Sequence, residues 1–410
     1  MLTFPQEFEK ILLQYIKTNY LSDSRDTVKR SPFNDKDLLY FSKGAARLSD
    51  GFTEDRGTLP TNYFNDPVLR SGYLLYFLPV NFLKIVRIMQ EFSAEEITDG
   101  KIRVLDVGSG PGTAMLGLMA FYADLLKEKK LKDAWLDFTL IDQNHTILKD
   151  ALSLHREYSS FLEKENKSFR SLCSVKHFDF RRGGLRRFLR NFRYHLIVVG
   201  NVINEFPDRE SQTAFVESLI AEHLAPNGKL ILIEPALKKT SRDLQNVRDQ
   251  IVVNHKTAFV HSPCLHQELC PLNVVNKRDW CHFYFSWKRP DFISRVDKII
   301  GNQKDWLACS FLVLAKEPRQ FQKIFPRPEN AWRVISNRIP TKGKEEFVLC
   351  GPSGRYHVTR LDKDAGPPNF GWNGMRRGDL VTLNVRGTGH QVEGEFQVQK
   401  NDRVDIVQKI

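Results

Sequence analysis

The spacing of hydrophobic positions changes character twice along this chain. Near the amino terminus Phe8, Ile11, Leu12, Tyr15 and Ile16 recur at helical intervals, and an apolar-rich helix is predicted over residues 74–92. From Lys101 onward, short apolar runs alternate with longer amphipathic stretches. Strands are predicted at 102–107, 135–141, 171–178, 195–200 and 229–234, with helices between them, the first over 114–127. Strands alternating with helices in this way predict a parallel sheet covered on both faces. After Pro235 the pattern becomes irregular, and it returns to strand at 307–314. Beyond Ala331 it takes the short period of antiparallel strands. There Leu380, Thr382 and Asn384 alternate with Val381, Leu383 and Val385, and Gly351, Gly354, Gly366, Gly371, Gly374 and Gly378 punctuate the runs. The expected organisation is a helical region (1–95), an α/β sheet domain (96–325) with a cysteine-rich segment (260–290), and a small β-barrel-like module (326–410).

Composition narrows this picture. With 41% hydrophobic and 27% charged residues, the chain reads as globular, not collagenous, coiled-coil or disordered. The apolar stretch 73–89 is broken by Pro79, Asn81, Lys84 and Arg87, so it reads as a packed helix, with no membrane partner expected. Glu7 and Glu9 sit where a secretory or mitochondrial leader would be basic, and the expected location is therefore the cytoplasm. The formal net charge is +12, with a pI near 9.3, which favours a polyanionic partner. Arginines concentrate between Phe180 and Arg193. On a helix starting near Leu185, Arg186, Arg190 and Arg193 would share a face, either solvated or turned to RNA.

The candidate chemistry begins at Val104, Leu105, Asp106, Val107, Gly108, Ser109, Gly110, Pro111, Gly112, Thr113 and Ala114. A strand ends in an acid, turns on three glycines and leads into a helix whose amide N–H groups face the turn. Glycines at such a turn let backbone approach a ligand with no Cβ in the way. The pattern alone is shared with dinucleotide enzymes. An acid before the first glycine and the Pro-Gly-Thr ending favour S-adenosylmethionine, and with it a Rossmann-like class I methyltransferase sheet. Asp142 ends the second strand, where a carboxylate can accept ribose hydroxyls, though it lies further along than the roughly 20 residues usual for such an acid. Asp179, after the third strand, is a candidate for the adenine amino group or an ordinary turn acid. Asn201, Asn204 and Glu205 follow the fourth strand, at the sheet edge where open α/β sheets bind ligands. No Asn-Pro-Pro-aromatic segment is present, and no catalytic residue is assigned.

The six cysteines are Cys173, Cys264, Cys270, Cys281, Cys309 and Cys350. Cys264, Cys270 and Cys281 fall close together, without the paired Cys-x-x-Cys of zinc ribbons. With Cys350 they could hold an iron–sulfur cluster, and plain buried thiols are the competing reading; His261, His266 and His282 are alternative ligands. Cys173 and Cys309 read as packing residues.

Several of these segments, taken in order, resemble a known family. They are Leu105 to Ala114, Asn204-Glu205, Leu232-Ile-Glu-Pro235, Pro263-Cys264, Cys270-Pro271-Leu272 and Asp279-Trp280-Cys281-His282-Phe283. Together, across about residues 51–350, the chain is similar to the methyltransferase-like proteins of the mitochondrial small ribosomal subunit and their bacterial relatives. The resemblance implies a Rossmann-like methyltransferase domain and a 4Fe–4S cluster on Cys264, Cys270, Cys281 and Cys350. It also implies association with small-subunit ribosomal RNA during assembly, in the cytoplasm for a bacterial-type member and in the mitochondrion for a eukaryotic one. The chain is expected to be a monomer. A methyltransferase acting on ribosomal RNA and a non-catalytic RNA-binding assembly factor that keeps the fold are the two functions this leaves open.

Overall fold

The computed structural model describes residues 1–22, 25–53, 62–93, 96, 100–190, 192–275, 278–319, 330–384 and 391–409. It divides into two compact units, Met1–Arg190 with Ser286–Leu307, and Asn191–Phe285 with Ala308–Ile410.

The first unit contains helices α1 (Gln6–Tyr20), α2 (Asp35–Thr53), α3 (Pro67–Gly72) and α4 (Leu78–Met89), then β1 (Gly100–Val107), α5 (Thr113–Lys127), β2 (Ala134–Asp142), α6 (His145–Glu165) and β3 (Phe169–His177). The strands β1, β2 and β3 are parallel neighbours in that order, with Asp106 beside Leu140 and Val107 beside Ile141. Their apolar runs have the continuous burial expected of strands covered on both faces: Val104, Leu105, Val107, Leu140 and Ile141 are fully enclosed. Asn144 caps α6 by accepting from the N–H groups of Thr146 and Ile147, both at 3.0 Å.

The amino-terminal helices are part of this core. On α1 the residues predicted to recur on one face bury Phe8, Leu12, Tyr15 and Ile16, and the Phe8 ring meets Tyr158 of α6 at 4.5 Å between centroids. Asp150 of α6 is buried and accepts the Tyr15 hydroxyl at 2.7 Å and the Tyr20 hydroxyl, with Arg70 Nε at 3.3 Å. A buried carboxylate with so many donors is a strong positional constraint, because removing a donor leaves a desolvated charge. Instead of one helix over 74–92, α3 runs into a wider helical turn, Tyr73–Phe77, and then into α4. That turn lies directly before Pro79, whose ring cannot fit against the carbonyl four residues back. Among the described residues only Pro67–Met89 is long and apolar enough to cross a membrane, and 78% of its most apolar window is buried inside the protein.

The arginine-rich helix is shorter than expected. It spans only Leu185–Leu189, because Arg190 adopts φ +57°, so Arg186 and Arg193 do not share its face.

The second unit contains β4 (Tyr194–Gly200), α8 (Arg209–Glu222), β5 (Leu224–Glu234), α9 (Lys238–Asp249), β6 (Phe259–Ser262) and most of β7 (Trp306–Ala315), where α7 denotes the short helix Leu185–Leu189. Here β4 and β5 are parallel, whereas β7 runs antiparallel to β5 and β6 antiparallel to β7, which makes a mixed sheet. The carboxyl-terminal strands are β8 (Ala331–Val334), β9 (Lys344–Gly351), β10 (Gly354–Leu361), β11 (Leu380–Leu383), β12 (Gln391–Val398) and β13 (Val404–Gln408). They order as β12-β10-β9-β8-β11-β13 around Trp332, Phe347, Tyr356 and Trp372. Two features differ from the antiparallel barrel read from the alternation. β12 pairs with β10 in parallel, and among the described residues the end strands β12 and β13 do not pair with each other. Alternation fixes which side chains face inward but not strand direction, so it could not distinguish these. Val385 lies outside the described residues.

Candidate functional site

The turn after β1 depends on three left-handed glycines, Gly108 (φ +68°), Gly110 (φ +52°) and Gly112 (φ +74°). Gly108 and Ser109 donate their N–H groups to the Ile141 carbonyl at 2.8 and 3.0 Å, which ties the turn to the end of β2. The glycines serve different ends. A Cβ on Gly112 would lie 2.7 Å from Met115 and 3.2 Å from Leu140, so this position is closed by packing. A Cβ on Gly110 would meet nothing nearer than the Phe64 ring at 3.8 Å, which leaves room above the turn.

Two carboxylates lie beneath it. Asp142 accepts the Gly110 N–H on one oxygen at 2.9 Å and the Asn144 N–H on the other at 2.8 Å. The Gln143 N–H is a third backbone donor to this carboxylate, whose remaining acceptor capacity is open to a ligand hydroxyl. Asp106 is 3% exposed, and its Oδ2 has no hydrogen-bond partner. Burial, then the charge of Asp142, raises its pKa from 3.8 to about 7, and the Met115 N–H at the start of α5 offsets only part of this. Burial also raises the Asp142 pKa. The Ser109 hydroxyl is likewise buried without a partner, whereas the Thr113 hydroxyl faces the Tyr73 phenol. An enclosed acceptor pair with an idle hydroxyl is costly by itself and suits a ligand bringing positive charge and donors.

The wall above the turn was not legible in the sequence. Phe64, Asn65 and Tyr73 come from the segment around α3. The Phe64 and Tyr73 rings meet edge to face at 5.1 Å, Asn144 donates to Asn65 Oδ1 at 2.8 Å, and Arg70 holds the Phe64 carbonyl at 2.6 Å. Burial, with Asp142 and Asp106 adding, raises the Tyr73 phenol to about 12, so it is a neutral donor beside both acids. The one local signal is Asp66-Pro67, a helix start at which Asp66 caps Val68 at 2.8 Å. Nothing in it says what the helix start covers.

Asp106, the glycine turn and Asp142 thus come together. Asp179 caps the turn Phe180–Arg182 and accepts from Arg181 N at 3.2 Å and Arg181 Nε at 3.0 Å. In the second unit, Asn201 directly follows β4 in a left-handed conformation (φ +60°), which is uncommon for a residue other than glycine. Glu234, which is fully buried, accepts the Ile203 N–H at 2.9 Å and the Asn204 side chain at 2.6 Å. The sequence pointed to Asn204 and Glu205 but not to the role of Glu234 in holding this segment.

The four cysteines proposed as ligands occupy one neighbourhood of the second unit. Cys264, Cys270, Cys281 and Cys350 are free thiols, and the Cys350 thiol is pushed up by burial and then by the charges of the other three. Burial, Cys264 and Asp249 raise Cys270 to about 11, although Arg248 pulls the other way. Gln245 donates to Cys270 Sγ at 3.3 Å, and His266 Nε2 lies 3.7 Å from Cys350 Sγ. The metal reading gains no support from this arrangement. Among the described residues no group of three or more His, Cys, Asp or Glu could hold a metal ion. Cys309 is wholly buried in β7, as a packing residue would be.

Comparison with known proteins places these features in context. A family model described as mitochondrial small ribosomal subunit Rsm22 matches residues 69–376. No curated protein matches the chain. Among solved structures, similarity extends to a TehB-like SAM-dependent methyltransferase from Corynebacterium glutamicum (13% identity, TM-score 0.26, 57% of this chain and 87% of that one). It extends also to a SAM-dependent methyltransferase from Methanosarcina mazei (13%, TM-score 0.30, 57% and 98%). A third is the N-methyltransferase NodS from Bradyrhizobium japonicum in complex with S-adenosyl-L-homocysteine (13%, TM-score 0.31, 68% and 98%). Likeness this weak adds nothing to what the strands establish. The helix-separated parallel strands, the glycine turn and the antiparallel β7 make this an α/β fold of the class I methyltransferase type.

The raised Asp106 pKa has a measurable consequence for the ligand-free protein. A carboxyl whose folded pKa lies above its ordinary value leaves stability untouched below about 4. Stability then falls as pH rises from 3.8 to about 7. Asp106→Asn should therefore stabilise the protein by roughly 2–4 kcal/mol at pH 8 and by little below pH ~4. Chemical denaturation across that range measures it, and an advantage independent of pH would contradict the assignment.

Proposed function

The chain belongs to the Rsm22 family of the mitochondrial small ribosomal subunit, and from that premise we propose that it binds S-adenosylmethionine and acts on small-subunit ribosomal RNA during ribosome assembly. The observation that carries this reading is the partnerless Asp106 Oδ2 beneath a glycine turn with open space at Gly110. The cofactor carries a cationic amino group, a cationic sulfonium and ribose hydroxyls, and it supplies an electrophilic methyl group. Asp106 is the counter-charge for a cation, and Asp142 has lone pairs left for hydroxyls. Phe64 and Tyr73 wall the space above the turn, and a ligand filling that space would exclude water and strengthen each electrostatic contact below. For Asp179 the adenine amino group remains the proposed partner, and a turn acid held by Arg181 remains the other reading. Asn201, left-handed just after β4, is the further cofactor contact proposed from the sequence. Methyl transfer needs the acceptor held in line at roughly 3–3.5 Å and no dedicated base for a nucleophilic acceptor.

One observation favours the non-catalytic alternative. No Asn-Pro-Pro-aromatic segment is present to polarise an acceptor amine, and Asn204, in the segment that stands in its place, donates its side-chain amide to Glu234. The second reading is thus an assembly factor that binds RNA and cofactor without turnover.

The resemblance to the family extends this reading to a 4Fe–4S cluster on Cys264, Cys270, Cys281 and Cys350, which are free thiols of one neighbourhood. A single zinc ion draws its sulfurs to about 2.3 Å from one point. A polynuclear cluster spaces them more widely, and irregular loops suit it. Arg248, buried beside Cys264 and Cys270, would offset thiolate charge. We retain the three-region organisation, 1–95, 96–325 and 326–410, as the functional division. In a eukaryotic cell the compartment consistent with the family is the mitochondrion.

Calorimetry with S-adenosyl-L-homocysteine should give a saturable heat for the wild type and none for Gly110→Arg, whose side chain would occupy the space above the turn. Radiolabelled methyl transfer to immature small-subunit RNA then separates the two functions. Label in wild type alone supports the enzyme, whereas equal RNA maturation in both variants with no label eliminates it. For the cluster, protein purified without oxygen should be brown, with broad absorbance at roughly 400 nm and matched iron and sulfide. Stoichiometric zinc without iron would overturn it.

A further inference from the structure

A groove of about 930 Å³ lies between α6 and β3, along the strand that ends the parallel set. It is distinct from the glycine turn and uses none of its residues. Its walls carry an unusual mixture. Trp135 and Leu172 line it while remaining 38% and 53% exposed, and four exposed cations, Arg156, Lys164, Lys167 and Arg170, surround them. The one carboxylate in the lining is Glu163, which accepts the Ser159 hydroxyl at 2.7 Å. Lys164, Lys167 and Arg170 form no ion pair among the described residues. A fifth cation, Lys101, stands over the Trp135 ring at 4.6 Å from its centroid and is fixed by Asp137 at 2.8 Å.

The floor is polar and built. His155 and Ser171 are 9% and 8% exposed, and His155 Nε2 lies 2.8 Å from Ser171 Oγ. Burial lowers the His155 pKa to about 4, so at neutral pH the imidazole adds no charge. A neutral imidazole paired with a hydroxyl offers hydrogen-bonding groups to a heterocycle edge. Cys173 also lines the groove, and burial raises its thiol to about 12, so it stays a neutral, protonated part of the wall.

We propose that this groove binds single-stranded RNA, with a base stacked against Trp135 above the His155–Ser171 floor and flanking phosphates on Arg156, Lys164, Lys167 and Arg170. Charge complementarity joined to an exposed aromatic selects this occupant. Cations alone would suit any polyanion, whereas a stacking surface inside a basic concavity suits unpaired bases. Paired RNA hides its base faces and is read mainly by shape and backbone. The proposal rests on the ribosomal-RNA reading above and assigns it a surface.

The test uses the full-length protein and measures fluorescence anisotropy with a short uridine oligomer and a short RNA duplex across salt concentrations. Arg156→Glu/Arg170→Glu should weaken binding to the oligomer and reduce the slope of log affinity against log salt by about 1.4. Trp135→Ala should weaken it by about 5- to 150-fold with the slope unchanged. Circular dichroism and the calorimetric heat with S-adenosyl-L-homocysteine should be the same in these variants as in the wild type, which excludes misfolding. Arg186→Glu/Arg187→Glu, on α7, is the comparison surface. If the wild type binds the oligomer but the groove variants bind equally well, the groove assignment fails while the RNA reading stands. A loss confined to the Arg186/Arg187 variant, or duplex bound as tightly as the oligomer, also overturns it. A wild type that binds neither RNA removes both readings.

Discussion

Two buried carboxylates under a turn of left-handed glycines are the constraint around which the first unit is arranged. Parallel register brings the ends of β1 and β2 together, and Gly108 and Ser109 close the turn on the Ile141 carbonyl. That closure places the Gly110 N–H on Asp142 and leaves Asp106 Oδ2 enclosed without a donor. A solitary buried charge is expensive, and two adjacent ones more so. The unit must therefore derive its stability elsewhere, and much of it comes from the amino-terminal helices. Phe8 packs on Phe82 at 5.4 Å and on Tyr158 at 4.5 Å, and Tyr15, Tyr20 and Arg70 fasten Asp150. Arg70 also grips the Phe64 carbonyl, so the bracing that offsets the strained site and the wall that covers it share one residue.

What could be read in the sequence follows from how local each signal is. Buried parallel strands are apolar runs wherever they occur, so β1, β2, β4 and β5 were legible. The glycine turn was legible too, because positive φ at three positions calls for glycine at each. Phe64, Asn65 and Tyr73 were not, since their function depends on packing against a turn some forty residues away (Phe64 to Gly110). Glu234 looked like a strand end, and only the fold shows it holding Ile203 and Asn204. The arginine run misled for a local reason. Gly183 and Gly184 before it and Arg190 within it adopt positive φ, which confines the helix to five residues.

The cysteine-rich segment shows a second kind of electrostatic arrangement. Arg248 is 2% exposed and donates to Asp249 at 2.6 Å and to the His266 carbonyl at 2.9 Å. Cys270 N–H meets the same Asp249 at 3.0 Å. Cys350 enters from β9, so the thiols join an irregular loop to a regular sheet within one unit. In the absence of other ligands, burial and mutual repulsion keep Cys270, Cys281 and Cys350 protonated, which is the opposite of what a metal requires. Any metal bound there must displace those protons, and its affinity would rise with pH.

In the proposed function Asp106 is the counter-charge for the cofactor's cation, and its proton provides a direct readout. Calorimetry of S-adenosylmethionine binding near pH 6.5, repeated in buffers of different ionisation heat, counts protons exchanged on binding. Because the carboxyl titrates near 7 in the free protein, a bound cation should lower its pKa and release a fraction of a proton. Asp106→Asn should abolish that release. Tight binding with no proton released by the wild type would contradict the account.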